Sequence, residues 1–325
     1  MKKKIFALAL AAILATSMLG ACSSNEDTDS SGGSGSGSGG SDTAKVYLIT
    51  MDQMDQHWVN VDKGCQQAVE ELKADGVNIK YSWSAPDKKE DAKQIECVNN
   101  AVADGADVIL VAANGPDAIT DALKSADAAG VKIIYVDSPA NFEGIQTLAT
   151  DNKAAGKMAG EEMIKALNDK GVTSGNIGVI TVNAATQSTV DRVEGFRSAF
   201  EGTDFVLSED QYAEGDAVKA KEFATNFLSQ NYVGLFGANE GTTVGVGNAI
   251  DELSSEAIGV GFDKSDSVTA LIEKGALLCT MAQNPDKMGY EGMMTASKVL
   301  NGETITEKNI DTGVTVLTKD NLDQA

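Results

Sequence analysis

Most side chains in this sequence that could do chemistry sit just after short apolar runs. Asp52, Asp55, His57 and Trp58 follow residues 46–50, Asn114 follows 107–112, and Asp137 and Ser138 follow 131–136. In the second half Asn183, Asn239, Glu240, Phe262, Asp263 and Gln283 stand in the same relation to apolar runs of their own. The set is carboxylates, carboxamides and a few flat rings. Carboxylates accept hydrogen bonds from neighbouring hydroxyls, carboxamides both donate and accept, and a ring covers an apolar C–H face. Such groups suit a polyhydroxylated ligand. An anionic ligand would need Arg or Lys aimed inward, and these positions supply hardly any.

These residues can share one site only if the runs before them are parallel strands. The expected strands are 46–50, 78–83, 107–112, 131–136 and 145–150, with helices from 57, 88–103, 118–129 and 152 to about 168. This is the βα alternation of a doubly wound sheet, whose ligands bind beyond the carboxyl ends of the strands where strand order reverses. If 46–50 is the first strand it lies mid-sheet, and 51–58 line the site. The pattern then restarts, with strands at 177–182, 205–208, 233–236, 258–263 and 277–282, helices between them, and a late strand at 313–317. The expected fold is α/β: two doubly wound parallel-sheet lobes with a hinge and a ligand cleft between them.

The first residues read differently. Lys2, Lys3 and Lys4 precede an apolar, Ala-rich stretch ending in Leu19-Gly20-Ala21-Cys22, the pattern of a secretory signal over 1–21. The last four of these residues resemble a bacterial lipobox, which implies cleavage before Cys22 and lipid on its sulfur. Residues 22–44 are Gly- and Ser-rich, a linker whose 22 residues after Cys22 reach about 25 Å as a random coil. The net charge is −22; without those three lysines 23 basic residues face 48 acidic ones, giving −25. Such a surface repels nucleic acid and anionic lipid. Cys65, Cys97 and Cys279 remain, an odd number with no complete disulfide framework; right-handed crossovers set the helices bearing Cys65 and Cys97 on opposite sheet faces. No GxxxxGK, GxSxG, SxxK or HExxH motif occurs, and one histidine cannot supply a metal cluster. No cofactor or metal is therefore expected. Asp311-Thr312-Gly313 matches the aspartic-protease triplet but occurs once, whereas that chemistry needs two facing carboxylates.

Seven segments in order, HWVNVDKG (57–64), IIYVDS (133–138), ATDNKAAGKMAG (149–160), DRVEGF (191–196), GANE (237–240), GVGFD (259–263) and AQNPDKMG (282–289), resemble the type 1 periplasmic-binding-protein-like sugar receptors of the ribose/galactose type. These are the solute-binding components of ABC importers. The resemblance implies that His57 and Trp58 stand where the family has an aromatic pair, and that Asp137, Arg192, Asn239, Asp263 and Gln283 hold the ligand. Ser138 replaces the Arg of ribose-type receptors, and Ala112 or Ala113 stands in place of an Asn, so ribose itself does not transfer. It also implies three lobe crossings near Thr150, Asn284 and Asp311. One lobe would be 45–150 plus 285–311 and the other 151–284 plus 312–325. The expected function is capture of a monosaccharide or related polyol by a lipid-anchored monomer at the outer face of a bacterial membrane, with ABC permease subunits as partners. The alternatives are a receptor for an autoinducer or nucleoside that signals to a sensor kinase or chemoreceptor, and a glycosidase built on close cleft carboxylates.

Overall fold

The computed structural model describes residues 43–322. The expected signal segment, Cys22 and nearly all of the linker lie outside the described residues, as do 323–325.

In the first lobe, β1 (Ala44–Ile49), α1 (Gln56–Ala74), β2 (Ile79–Ser84), α2 (Asp91–Ala103), β3 (Val108–Val111), α3 (Thr120–Ala128), β4 (Lys132–Val136) and β5 (Thr147–Ala149) alternate as the pattern predicts. The second lobe runs α4 (Asn152–Asp169), β6 (Ser174–Thr181), α5 (Gln187–Ala199), β7 (Asp204–Leu207), β8 (Gln211–Tyr212), α6 (Ala217–Ser229), β9 (Gly234–Gly237), α7 (Glu240–Leu253), β10 (Ile258–Phe262), α8 (Asp266–Lys274) and β11 (Cys279–Gln283). Three elements close the chain: α9 (Pro285–Leu300), β12 (Asn309–Asp311) and β13 (Val314–Thr318).

One sheet has the order β12-β5-β4-β3-β1-β2 and is parallel throughout. β1 lies between β2 and β3, one strand in from the edge rather than at mid-sheet, and strand order reverses beside it. The other sheet has the order β13-β11-β10-β9-β6-β7, with β8 also on β6. Only its β13 runs antiparallel, against β11.

Alternation along each strand feeds two cores. Val46, Leu48, Val108, Leu110, Ile134 and Val136 face α1 and α9, with Cys65 among them. Ile49, Ile109, Val111, Ile133 and Tyr135 face α2 and α3, where Cys97 packs. The helices carrying these two thiols are thus on opposite faces, and Cys65, Cys97 and Cys279 are all unbridged. In the second lobe Val179, Phe236, Val260 and Met281 pack under α4 and α5, while Ile180 and Leu235 pack under α6, α7 and α8.

The chain passes between sheets after β5, after β11 and between β12 and β13. These three passages are bonded to one another. The Thr312 N–H donates to the Ala149 carbonyl at 2.9 Å, and Asn284 Nδ2 donates to the Thr312 carbonyl at 2.9 Å. Asp311, the acid of the protease-like triplet, accepts the N–H groups of Asp151 and Gly313 here, a turn role rather than a catalytic one.

Candidate functional site

Because parallel strands end on one edge of a sheet, the loops after β1, β2 and β4 face those after β6, β9, β10 and β11. Between them lies a small, partly open cavity of about 30 Å³ lined by His57, Trp58, Asp137, Arg192, Asn239, Asp263 and Gln283, and also by Asp55 and Lys89. The space has room for about two water molecules. A hexose is several times larger, so it enters only when the lobes part. His57, Asp263 and Gln283 also line a hollow of about 500 Å³ beside the interlobe passages, which makes them the partition between the two spaces.

Local backbone fixes the two central acids. Asp137 and Asp263 end β4 and β10 with φ of 66° and 71°, the left-handed region that Asp tolerates better than most residues. Each is held there by its own N–H, donated to the Leu148 carbonyl at 2.8 Å and to the Met281 carbonyl at 3.0 Å. His57, at the start of α1, spans the gap between them. Its Nε2 is 2.9 Å from Asp137 Oδ2 and its Nδ1 3.6 Å from Asp263 Oδ1, so one ring joins the lobes. Trp58 meets that ring edge-on at 4.6 Å.

On the second lobe Arg192 is locked by close helix packing. A Cβ on Gly156 of α4 would collide with the Arg192 carbonyl of α5. Arg192 Nε donates to Asn152 Oδ1 at 2.8 Å and Nη1 to the Ala238 carbonyl at 3.0 Å. Asp263 accepts from the Glu240 N–H at 2.7 Å and from Gln283 Nε2 at 2.6 Å. Asn239 caps α7 through Thr242. Glu240 reaches the other lobe, where the His57 N–H donates to its Oε2 at 3.4 Å.

Burial and charge oppose each other in this site. Burial would raise the Asp137 carboxyl, but the hydrogen bond and charge of His57, with Arg192, outweigh it and hold the group below the ordinary carboxylate value. Burial would lower the His57 imidazole, yet Asp137 and then Asp263 outweigh that and raise it, favouring the imidazolium. For Glu240 burial, then Asp55 and Asp263, outweigh the His57 N–H and the His57 charge and push its carboxyl up to about 7.

Several polar atoms here are buried without a protein partner: Trp58 Nε1, Asp137 Oδ1, Arg192 Nη2 and Gln283 Oε1. Unsatisfied buried polar atoms are rare in folded chains, and their gathering along one cavity marks a surface made for a polar molecule.

Other expected residues stand elsewhere. Phe262 is wholly buried, with Arg192 Cζ 4.4 Å above its ring, so it props the guanidinium from below and is no part of the cavity wall. Ser138 Oγ faces the Ser188 N–H across the lobes at 3.5 Å. Asn114 Nδ2 donates to Asp91 Oδ1 at 2.5 Å, and the Asn114 carbonyl accepts from Thr186 Oγ1 of the second lobe. Asp52 shapes the loop after β1, accepting the N–H groups of Met54 and Asp55.

Sequence reasoning missed Lys89. The helix expected from 88 begins at Asp91, which leaves Lys89 in a loop. Its ammonium is 2.9 Å from Asp52 and 2.5 Å from Asp55. Burial would raise the Asp52 carboxyl, but the Lys89 charge and the loop N–H groups outweigh it and lower it; Asp55 stays raised by burial despite the same lysine. In an acidic run such as PDKKED, a lysine reads as solvated surface, and only its position after a strand hinted otherwise. Thr186, Ser188 and Thr189 also line the cavity and were not anticipated.

The periplasmic binding protein domain family matches residues 46–304. A ribose import binding protein of Haemophilus influenzae, RbsB, is 27% identical over 82% of this chain and 88% of its own. Among solved structures, an ABC transporter solute-binding protein from Agrobacterium vitis with bound D-fucose is 31% identical, with a TM-score of 0.80 over 86% of this chain and 97% of its own. A carbohydrate transporter solute-binding protein from Agrobacterium radiobacter, in complex with D-arabinose, is 29% identical at a TM-score of 0.80, over 86% of this chain and 96% of its own.

Proposed function

The chain belongs to the periplasmic binding protein family, and on that premise we propose that it is the extracytoplasmic solute-binding component of an ABC importer, capturing a monosaccharide or related polyol between its lobes. The observation that carries this reading is the row of unpartnered buried atoms on Trp58, Asp137, Arg192 and Gln283 along one interlobe cavity. A pyranose ring carries donors and acceptors around its rim and C–H groups on its faces, which matches that row. His57, Trp58, Asp137, Arg192, Asn239, Asp263 and Gln283 hold the ligand in this reading, with Asp55, Lys89 and Glu240 at the margin. Ser138, Asn114, Asp52 and Phe262 act behind them, on lobe contact, loop shape and support.

Capture proceeds by hinge closure. The three bonded passages let the lobes rotate as bodies, and closing brings Asp137 and Asp263 onto one ligand. The closed shape is what the permease subunits read. The family transports sugars and carries out no reaction on them, and we extend that to this chain: no residue here is assigned a catalytic role. Lipid on Cys22, after removal of 1–21, anchors the monomer to the outer face of the membrane through the linker.

A thermal-shift panel of pentoses, hexoses, polyols and nucleosides tests the reading, because a ligand that binds the native state raises its apparent stability. A sugar or polyol raises the melting temperature and is recovered unchanged after incubation. A shift given only by nucleosides refutes sugar capture, and a cleaved glycoside refutes transport without reaction.

A further inference from the structure

Contact between the lobes is not confined to the residues assigned to the ligand. His57 meets Asp263 and Glu240 across the gap, and all three belong to the site. Further contacts cross elsewhere. Thr186 Oγ1, at the amino end of α5, donates to the Asn114 carbonyl after β3 at 2.7 Å, and the Ser188 N–H donates to Ser138 Oγ after β4 at 3.5 Å. All four residues are buried. Thr186 and Ser188 line the cavity, whereas Asn114 and Ser138 line neither it nor the larger hollow beside it.

Each half of the Thr186–Asn114 pair is mounted within its own lobe. Gln94 Oε1 accepts the Asn114 N–H at 3.0 Å, and Gln94 Nε2 donates to the Thr50 and Ala112 carbonyls at 3.0 and 2.8 Å. The accepting carbonyl is thereby tied to the ends of β1 and β3. Across the gap Asn183 Oδ1 accepts the N–H groups of Ala185 and Thr186, each at 2.8 Å, which fixes the turn that presents the hydroxyl. Thr186 holds the N-cap position of α5, yet its side chain caps no N–H of that helix, the ordinary use of a threonine there. Its single proton serves the other lobe instead: the Asn114 carbonyl is nearer, at 2.7 Å, than Asn183 Oδ1 at 3.1 Å. None of the mounting bonds crosses the gap, so opening keeps them and breaks the bond between Thr186 and Asn114. Partners held ready in this way lose little freedom when they meet.

We propose that the Thr186 hydroxyl is a latch that sets how firmly the chain closes on whatever it captures and takes no part in choosing among ligands. The inference rests on the hinge-closure reading above and adds to it a closing force supplied by the protein alone. A contact made in only one of two states shifts the balance between them by its own free energy, and apparent affinity follows the closed fraction.

Isothermal titration of the wild type, Thr186→Val and Thr186→Ser with D-glucose, D-galactose, D-ribose, D-arabinose and myo-inositol tests this, together with small-angle scattering of the ligand-free proteins. Valine keeps the shape and removes the proton, and α5 loses no cap by it. In Thr186→Val every probe that binds should weaken by one common factor of about fivefold, the worth of one hydrogen bond. Where the latch already holds without ligand, the ligand-free radius of gyration should rise instead. Thr186→Ser keeps the donor and should stay within about twofold of the wild type. Losses that differ from probe to probe place Thr186 on the ligand and overturn the latch, and so does a serine variant as weak as the valine one. Affinities and radius both unchanged overturn it too, and leave sugar capture intact. If no probe binds the wild type, capture of these compounds is overturned, and the radius of gyration of Thr186→Val alone decides the latch: a rise supports it and no change refutes it.

Discussion

Asp263→Asn isolates one charge at the centre of the site. Asparagine tolerates the left-handed backbone at φ 71° and keeps the shape of the side chain. Alanine would add strain of about 1–2 kcal/mol there and would confuse lost binding with lost stability. In the ligand-free chain Asp263 accepts from the Glu240 N–H and from Gln283 Nε2. The carboxamide keeps only one of these bonds, a loss of about 1 kcal/mol. Two charge-assisted hydrogen bonds from a ligand, each about 1.5 kcal/mol, amount to about a hundredfold in dissociation constant. With the best-shifting sugar at about a hundred times its dissociation constant, ligand stabilises the native chain by about 2.7 kcal/mol. At about 2–4 °C per kcal/mol this is a shift of about 5–10 °C. The variant at the same sugar concentration should show about 0.4 kcal/mol, or about 1–2 °C, measured against its own ligand-free melting point. A full shift in Asp263→Asn would mean that the carboxylate does not touch the ligand, and the convergence of the two strand-end acids would then be structural only.

Lys89→Met leaves Asp52 and Asp55 without their cation and should lower stability by about 3–5 kcal/mol in urea unfolding; the added change Asp55→Asn should restore part of it, and a neutral outcome would place Lys89 in solvent. Glu240 titrates near 7 in the folded chain against an ordinary 4.5, so the native state binds the extra proton and stability falls as pH rises between those values. Glu240→Gln should flatten that slope in unfolding measured across the window, and an unchanged slope would count against burial beside Asp55 and Asp263. Gly156→Ala forces α4 away from the Arg192 backbone, an overpacking of about 1–3 kcal/mol. It should also weaken sugar binding, although it touches no ligand; a variant with wild-type affinity would show that Arg192 is not positioned by that contact.

Much of this fold is legible in the chain itself. The apolar runs ending at Thr50, Val136 and Phe262 are too short for helices and too apolar for surface, so they read as strands of a sheet covered on both faces. Parallel strands share a direction, which sends Asp137 and Asp263 each to the carboxyl edge of its own sheet without knowledge of any contact. Other features have no local signal. Phe262 and Asp263 are neighbours, yet one supports Arg192 from the core and the other faces the cavity, because successive side chains leave a strand on opposite sides and the register sets which side is which. Lys89 and Asp55 lie 34 positions apart and pair only because β2 lies beside β1. β12 and β13 are short, and they are strands because β5 and β11 offer edges for them to complete. That one imidazole stands between acids from two lobes, 80 and 206 residues further along the chain, was decided by closure alone. Sequence sets which groups reach an edge; the fold decides which edges meet, and therefore which charges must answer one another.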